Sequence, residues 1–556
     1  MHFRPFERIP KEFQFAVHET AGIESTEIRR LATQQTVPAV RKRRGNGYKG
    51  KEFRRNAPSF SYPSLQATRR NKIEAMAPSP LTAQDDAGKG TSTVSTYVGD
   101  LNYQHQTLSK SSAEKLHRQM ALSRASECVL WSQPAMSFYQ ALRACQQNLK
   151  VAPSDLAIGL YEGSASVRTF LTANVTTPYT VSFFDLSQTG PVVFEIPEGG
   201  IYGVANNAWQ QPTKEINSGL AEKVLMVGPG QSVPQGFDGE VVQTSTFVNL
   251  LFYRVLGVGP EAEKLKRAVK AYKLADAQKS PQTMFIPFTP GPNDPIALNS
   301  IPADFGFWEL LNEMIQKEPM ADRDRFFYAW LRDLGIKKGE PFLPTDEQKQ
   351  ILTEGLKVGL AMAQACSFDS VFPAAVYQSK DSGWEWVLGG LDPAQDLDTH
   401  TMYNERTAYT YEAVSISKSM ISQIEGRGSG YLGAYYDAEG NAFMGEFSYT
   451  LHLEPDVPAV NFWSVTVYEI ATRVVIKNET GKADISSRSE GLQTNPDGSV
   501  DLFFGPTPPA AAAAAGVANW VQTNPGQSWF AYFRAYGPKK AFFEATYKMN
   551  KITRIK

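Results

Sequence analysis

Arg534 and Tyr536 stand two residues apart in SWFAYFRAY, so a strand there carries both on one face. Just upstream, Asn519 and Trp520 follow a loop, and an earlier apolar stretch holds Asn174, Tyr179 and Asp185. A guanidinium grips a carboxylate or phosphate in two places. Aromatic walls with a few directed polar groups are the usual make-up of a small-ligand pocket. With Arg534 as an anion clamp and Asp185 as base, the same set would suit a hydrolase. A purely structural reading competes with both. In it, Arg534 pairs with an acidic neighbour and Trp520 plugs the end of a β-sandwich.

Other chemical devices are absent from the sequence. There is no GxxxxGK[ST] phosphate loop, HExxH, CxxC pair or GxSxG elbow. No cofactor motif is evident. Cys128, Cys145 and Cys366 are too few and too widely spaced for a disulfide framework and read as buried thiols. LDPAQDLDTH concentrates Asp392, Asp396, Asp398 and His400, but its spacing matches no calcium loop and reads as a solvated linker. No metal site is expected.

The elements that would position the polar and aromatic set change period along the chain. From about 109 the pattern is helical, with Ser111 and Glu114 at capping-box spacing and Pro134 breaking the run. This gives a helical lead-in over 101–155. PYTVSFFDL (178–186), GPVVFEIP (190–197), IYGVAN (201–206) and KVLMVGPG (223–230) are short apolar runs bounded by turn residues, which predicts an antiparallel sandwich over 156–258. FVNLLFYRVLG (247–257) reads as either a buried strand or a short helix. Residues 259–366 return to helix: GPEAEKLKRAVKAYKLADA, WELLNEMI, RDRFFYAWLRDLG closing on Gly335, and a run opened by Thr345 and Gln348. Residues 367–410 are poorly patterned and read as a linker or insertion.

A helix through YEAVSISKSMISQI then leads to about seven strands over 411–556, namely YLGAYYD, AFMGEFSYTLHL, NFWSVTVYE, RVVIKN, SVDLFFG, SWFAYFRAY and KITRI. These read as a second, jelly-roll-like sandwich. In NFWSVTVYE (461–469) one face, Trp463, Val465 and Val467, is ordinary core. The other, Phe462, Ser464, Thr466 and Tyr468, is half aromatic and half hydroxyl. It is expected to pack on another element or to line a cleft. An alanine run at 510–515 lengthens a surface loop.

The 556 residues carry a net charge of −1 that hides an asymmetry. Residues 1–75 hold 16 Lys and Arg against 7 Glu, whereas the rest holds 40 basic against 50 acidic side chains. The acidic body argues against nucleic acid as the main partner, the basic run 41–55 aside. Residues 1–100 read as a solvated basic extension, with Met76 as an alternative start. No run of about 18 apolar residues suggests a membrane span. The first residues lack the apolar core of a secretory signal, which makes the cytoplasm the default location.

Two blocks resemble known families. NVTTPYTVSFFDLSQTGPVVFEIPE, followed by KVLMVGPGQSVPQGF, resembles the family called domain of unknown function 1254. DAEGNAFMGEFSYTLHLEPDVPAVNFWSVTVYE, then NPDGSVDLFFGP, ANWVQTNPG and FRAYGP, is similar to its usual companion, domain of unknown function 1214. In the first block the residues usual after GGIYG are replaced by VANNAWQQ. The resemblance implies a mainly β chain with two antiparallel sandwich domains, immunoglobulin-like and then jelly-roll-like, joined by a helical middle region. It implies no reaction. It marks Asn174, Tyr179, Asp185, Trp463, Asn519, Trp520, Arg534 and Tyr536 as motif positions without roles. From the residues, the expected function is binding of a small-molecule or carbohydrate-like ligand in a cleft between the β domains. The rivals are the Arg534/Asp185 hydrolase and a structural or assembly role with an oligomeric chain.

Overall fold

Among the described residues, six α-helices of eight residues or more carry the scaffold: α1 (Lys110–Leu149), α2 (Pro260–Arg267), α3 (Gly306–Lys317), α4 (Arg325–Asp333), α5 (Asp346–Phe368) and α6 (Tyr403–Glu412). The computed structural model describes residues 90–555, apart from 163–165, 176–177, 217–218, 256–258, 291–297, 422 and 511–516. The basic run 41–55, Met76 and most of the alanine run lie outside the described residues. Those described fall within one unit, Ala83–Lys556.

The 40 residues of α1 extend about 60 Å at 1.5 Å per residue. Its cap is Ser109, whose hydroxyl accepts from the Ser112 N–H, two residues earlier than the expected Ser111. Pro134, expected to end the helix, lies inside it. A proline there removes one N–H and strands the carbonyl four residues back. That carbonyl is Leu130 O, and the Thr407 hydroxyl of α6 reaches it at 2.9 Å while also lying 2.8 Å from Tyr403 O. Arg406 donates to Trp131 O at 3.0 Å, and Gln210 to Pro134 O at 3.0 Å. Tertiary donors thus cover the backbone around the proline, so the helix continues. On another face α1 crosses α5 closely. A Cβ on Gly355 would come within 2.3 Å of Ala125 Cβ, and one on Gly359 within 2.6 Å of Val129 Cβ.

The middle region is less helical than its pattern suggests. α2 stops at Arg267, and the residues after it form a strand and a 3-10 turn. α3 and α4 bury Leu311, Ile315, Leu331 and Leu334 as the spacing predicts, Gly335 follows at φ 92°, and α5 opens with a full Thr345/Gln348 capping box. The segment expected as a loose linker buries Tyr377 and Trp384 completely. The helix expected through 411–424 is displaced, because α6 ends at Glu412 and extended chain follows.

A three-stranded sheet, β1 (Thr91–Thr96), β2 (Gly99–Gln104) and β3 (Thr107–Leu108), precedes α1. The first β region then places β4 (Ala157–Tyr161), β5 (Tyr179–Asp185), β7 (Ile201–Asn207), β8 (Pro212–Ile216), β11 (Val248–Val255) and β13 (Met284–Phe288) in one sheet, ordered β13-β4-β5-β11-β7-β8. A second sheet is ordered β10-β9-β6-β12, from β6 (Val192–Ile196), β9 (Glu222–Val227), β10 (Glu240–Gln243) and β12 (Lys270–Lys273). The ambiguous 247–257 stretch is therefore a strand at the centre of the larger sheet. Pairing is not purely antiparallel, because β13 runs parallel to β4 and β10 to β9. Phe184, Ala205, Leu251 and Tyr253 of one sheet pack with Val192, Phe194, Val224 and Met226 of the other.

The second β region repeats this two-sheet plan. β14 (Glu385–Trp386), β15 (Ser429–Ala434), β22 (Ser528–Pro538), β18 (Ala459–Glu469) and β19 (Asp484–Ser486) are neighbours in that order, with β16 (Phe443–Met444) also on β22. The other sheet is β21-β20-β17-β23, from β17 (Tyr449–Leu453), β20 (Val500–Gly505), β21 (Trp520–Gln522) and β23 (Thr553–Arg554). β20 and β21 run parallel, and RVVIKN makes only an isolated bridge, Tyr468 to Val475. Val465, Val467 and Phe533 share a core with Leu451, Leu502 and Phe504. The opposite face of β18 is buried too, with Phe462 7% exposed and Ser464, Thr466 and Tyr468 at 0%.

Replacing Thr407 by Val should lower unfolding stability by about 1–3 kcal/mol, the usual cost of an unmet buried carbonyl. In a Pro134→Ala background the loss should be much smaller, since residue 134 then supplies the helical N–H. Equal losses in the two backgrounds, read from urea midpoints, would show that the hydroxyl does not serve Leu130 O.

Candidate functional site

Side chains from one face of each β region line a shared cavity of about 150 Å³. Strand alternation selects them. From the first region come Tyr179 and Val181 of β5, Tyr202 and Val204 of β7, and Phe252 and Arg254 of β11. In register, Phe252 lies opposite Val181 and Val204, and Arg254 opposite Tyr202. From the second region come Tyr431 of β15 and Tyr532, Arg534 and Tyr536 of β22, with Arg534 opposite both Tyr431 and Ser464. Residues 170–174 and 413–420 supply the sides. The 40% exposure of Tyr202, with half-buried Arg254, Ser419 and Met420, marks the open edge.

Arg534 is 3% exposed, and its partners are neutral. It donates to Thr172 O at 2.6 Å and to Thr466 Oγ1 at 3.2 Å. Its guanidinium carbon lies 5.1–5.7 Å from the ring centroids of Tyr431, Tyr468 and Tyr532. Ring faces attract a cation, which offsets part of the cost of burying it. Tyr468 adds a second hold on the same loop by donating to Ala173 O at 2.8 Å. The mixed face of β18 packs as expected on another element: Thr466 and Tyr468 seat Arg534, and Phe462 stacks on Tyr536 with centroids 3.9 Å apart.

The 413–420 segment, non-helical to Ser417 and then a 3-10 turn at Lys418–Met420, is fixed by polar side chains of the VANNAWQQ stretch and by Glu215. Asn206 donates to Ile416 O at 2.8 Å, and the Ser415 N–H donates to Gln210 Oε1 at 2.8 Å. The Ser415 hydroxyl donates to Asn206 Oδ1 at 2.7 Å. Glu215 accepts from the Ser417 hydroxyl and the Lys418 N–H at 2.8 and 2.7 Å. With its backbone groups taken by these partners, the segment does not continue α6, and Ser415 adopts φ 67°.

Two guanidinium groups reach the site. Arg254 and Arg534 line the cavity, and no Asp or Glu does so among the described residues. Behind Tyr532 lies Glu412, 2% exposed, whose carboxyl oxygens accept from the Tyr435 hydroxyl at 2.8 and 3.0 Å. Burial, with the nearby Glu385 as a smaller contribution, pushes its pKa up to about 8, so it is mostly neutral at pH 7. Burial also raises the Tyr409, Tyr532 and Tyr536 phenols, which stay protonated donors. The Tyr536 hydroxyl has no hydrogen-bond partner among the described residues.

Of the residues singled out from sequence, Asn174, Tyr179, Arg534 and Tyr536 line this cavity. Tyr179 lends its oxygen to the Asn174 side-chain and backbone N–H groups at 2.8 and 3.0 Å. The other four lie elsewhere. Asp185 caps the short helix at 186–189 and pairs with Lys317 at 2.8 Å, so it cannot serve Arg534 as a base. Asn519 spends its side chain on Gln493 and the Asp501 carbonyl. Trp520 donates to Gly505 O at 3.1 Å, and Trp463 borders a separate surface groove. Arg534 has no described acidic partner, contrary to the structural reading of that residue. The sequence reading missed Arg254, Tyr409, Tyr431 and Tyr532. Tyr532 was legible, because it precedes Arg534 by two in the same strand. Arg254 was hidden by the strand-or-helix ambiguity of 247–257.

No group of three or more His, Cys, Asp or Glu able to hold a metal occurs among the described residues. Asp396 is tied instead to Arg323 at 2.5 Å and to Thr401 at 2.7 Å. Cys128 and Cys145 are buried, and burial pushes their thiols up, Cys145 to about 12, which disfavours a nucleophilic thiolate.

Glu412 also makes stability depend on pH. The unfolded chain gives up this proton near pH 4.3, whereas the folded chain keeps it to about pH 8. The folded state therefore binds more protons between those values, and its stability falls as pH rises across them. Glu412→Gln should flatten that slope, leaving the part due to Glu385, whose pKa is raised to about 7 by burial. Equal slopes for wild type and variant in urea titrations would show that Glu412 is ionised in the fold.

The family profile described as "Protein of unknown function (DUF1254)" matches residues 159–276, and "Protein of unknown function (DUF1214)" matches residues 428–540. The VPA0106 protein from Vibrio parahaemolyticus is similar in structure at TM-score 0.46 and 16% identity, over 78% of this chain and 100% of that one. A putative uncharacterized protein from Burkholderia cenocepacia is similar at TM-score 0.35 and 13% identity, over 80% and 97%. No curated protein matches the chain. Both profiles thus match this chain, DUF1254 first and DUF1214 second, the pair that the sequence motifs resemble.

Proposed function

We propose that this chain binds a small organic ligand in the cavity between its two β regions. The observation that carries the reading is the convergence of Arg254, Arg534 and a tyrosine-rich wall on one hollow. A site made mostly of aromatic surface with a few placed polar groups is the ordinary form of a small-ligand pocket. Its volume of about 150 Å³ matches a cavity known to hold benzene. That favours a small molecule over a carbohydrate polymer. The hydrolase alternative loses its named base, since Asp185 is engaged with Lys317. The two-layer β regions support reading the first as an immunoglobulin-like sandwich and the second as a jelly-roll-like one, with the ligand held between them.

Hydrogen exchange on the full chain with a panel of one-ring and open-chain organic compounds tests the reading. At least one compound should slow exchange in both 170–174 and 413–420. A folded Val204→Phe variant, whose added ring fills the cavity, should lose that protection. A panel that leaves both segments unchanged in the wild type would refute it.

A further inference from the structure

We infer that the ligand is an uncharged one-ring compound with a carbonyl oxygen, and that the Tyr536 hydroxyl donates to that oxygen. This rests on the reading that the cavity binds a ligand at all, and it adds the group by which the ligand is held.

The hydrogen-bond inventory of the lining points to an acceptor. Tyr536 is 8% exposed, and its hydroxyl makes no hydrogen bond among the described residues. Its ring is fixed by stacking on Phe462 and by pairing with Phe462 and Ser429 in the ladders on either side of β22. A buried hydroxyl left unmet destabilises a fold, whereas phenylalanine would keep the stack without that cost. A ligand oxygen that accepts from Tyr536 recovers the loss on binding. Tyr532, two residues back on the same face, also makes no hydrogen bond to a described residue, but Glu412 lies beside it. Tyr536 therefore carries the argument.

Tyr179 sets the polarity. Its oxygen accepts from the Asn174 side-chain and backbone N–H groups at 2.8 and 3.0 Å. A phenol oxygen has two lone pairs, so these bonds fill its accepting capacity and leave only its O–H to offer. Tyr179 and Tyr536 thus bring donors to the lining from both β regions. A carbonyl oxygen, with two lone pairs and no proton, is complementary to them.

The charges near the hollow are engaged within the chain. Arg534 donates to Thr172 O and Thr466 Oγ1, with three tyrosine rings around its guanidinium. Arg254 has a partner in the chain as well. Glu215 brings a carboxylate to the serine side, where it accepts from the Ser417 hydroxyl and the Lys418 N–H. An anion would compete with the partners of both arginines and meet Glu215. A cation would meet two guanidinium groups. Burying an ion without its own counter-charge is costly, and an uncharged ligand avoids that cost.

The aromatic lining supplies the shape. Phe170 and Phe252 flank Tyr179 with ring centroids 5.9 and 5.1 Å away, and all three line the cavity. Flat rings around a volume of about 150 Å³ suit a single planar ring.

Calorimetry on the full chain at pH 7 tests the inference with four probes. Acetophenone carries the carbonyl, α-methylstyrene replaces its oxygen by a CH₂ group, and benzoate and benzylamine carry opposite charges. Acetophenone should bind the wild type, and Tyr536→Phe should weaken it about 3- to 10-fold, the range for one neutral hydrogen bond. The same substitution should leave α-methylstyrene unchanged within about 2-fold. Benzoate and benzylamine should bind the wild type more weakly than acetophenone. Without ligand, Tyr536→Phe should unfold at the same urea concentration as the wild type or a higher one, because no protein acceptor is lost.

Equal effects of Tyr536→Phe on acetophenone and α-methylstyrene would overturn the hydrogen bond to Tyr536. A lower urea midpoint for the variant would show that the chain itself serves the hydroxyl, and would overturn it too. Benzoate or benzylamine binding more tightly than acetophenone would overturn the uncharged class. If all four probes fail while another compound protects 170–174 and 413–420, the class is wrong and the site stands. If no compound protects those segments, the cavity reading itself falls.

Discussion

The contact on which the two β regions turn is the one between the Arg534 guanidinium and the Thr172 carbonyl. Thr172 belongs to the first region's loop, and Arg534 to the central strand of the second. Thr172 adopts φ 39°, a conformation unfavourable for a β-branched residue and worth about 1–3 kcal/mol of strain. Charged donors and backbone bonds hold it there. Arg534 takes its carbonyl, its N–H donates to Arg473 O at 2.8 Å, and Tyr468 binds the next carbonyl. Arg168 reinforces the joint through Val475 O and Glu469. A hydrogen bond from a charged group contributes about 1.5–3 kcal/mol, enough to offset strain of that size. The same bonds draw Arg534 to the edge of the cavity, so joining the regions and charging the hollow are one arrangement.

A second constraint works from the helical side. Pro134 would break α1 if no neighbour answered its stranded carbonyl, and α6 supplies the answering hydroxyl. That contact presses α6 against α1. Glu412, its last residue, is buried against Tyr435, and the chain then passes along the cavity as an extended segment. Asn206, Gln210 and Glu215 capture that segment. Asn206 and Gln210 of the VANNAWQQ stretch, with Glu215 beyond it, thus tie the two regions together on this side.

Much of the architecture was legible in the sequence. Period-two runs located β5, β6, β7, β9, β18, β20 and β22, and capping chemistry located the start of α5. Within the site, Arg534 and Tyr536 were readable because alternation on one strand guarantees a shared face. Errors fell where local pattern lost to tertiary partners. Pro134 was read as a stop because its rescuing donor lies more than 270 residues away. The 411–424 stretch was read as helix because its captors sit on another sheet. Asp185 was grouped with Arg534 by chemical type, although it shares a strand face with Tyr179 at the opposite end from the loop that Arg534 grips.

The sequence by itself determined which side chains share a face, because alternation and helical period are local properties of the backbone. It also determined the order of the two β regions and the mixed polar and aromatic face of NFWSVTVYE in the second. Only the tertiary structure decided which faces meet. Placing Arg254 near Arg534 depends on side chains about 280 residues apart packing across an interface, and no local periodicity encodes that choice. The cavity exists because two sheet faces, each rich in aromatic and polar side chains, are brought together across that interface.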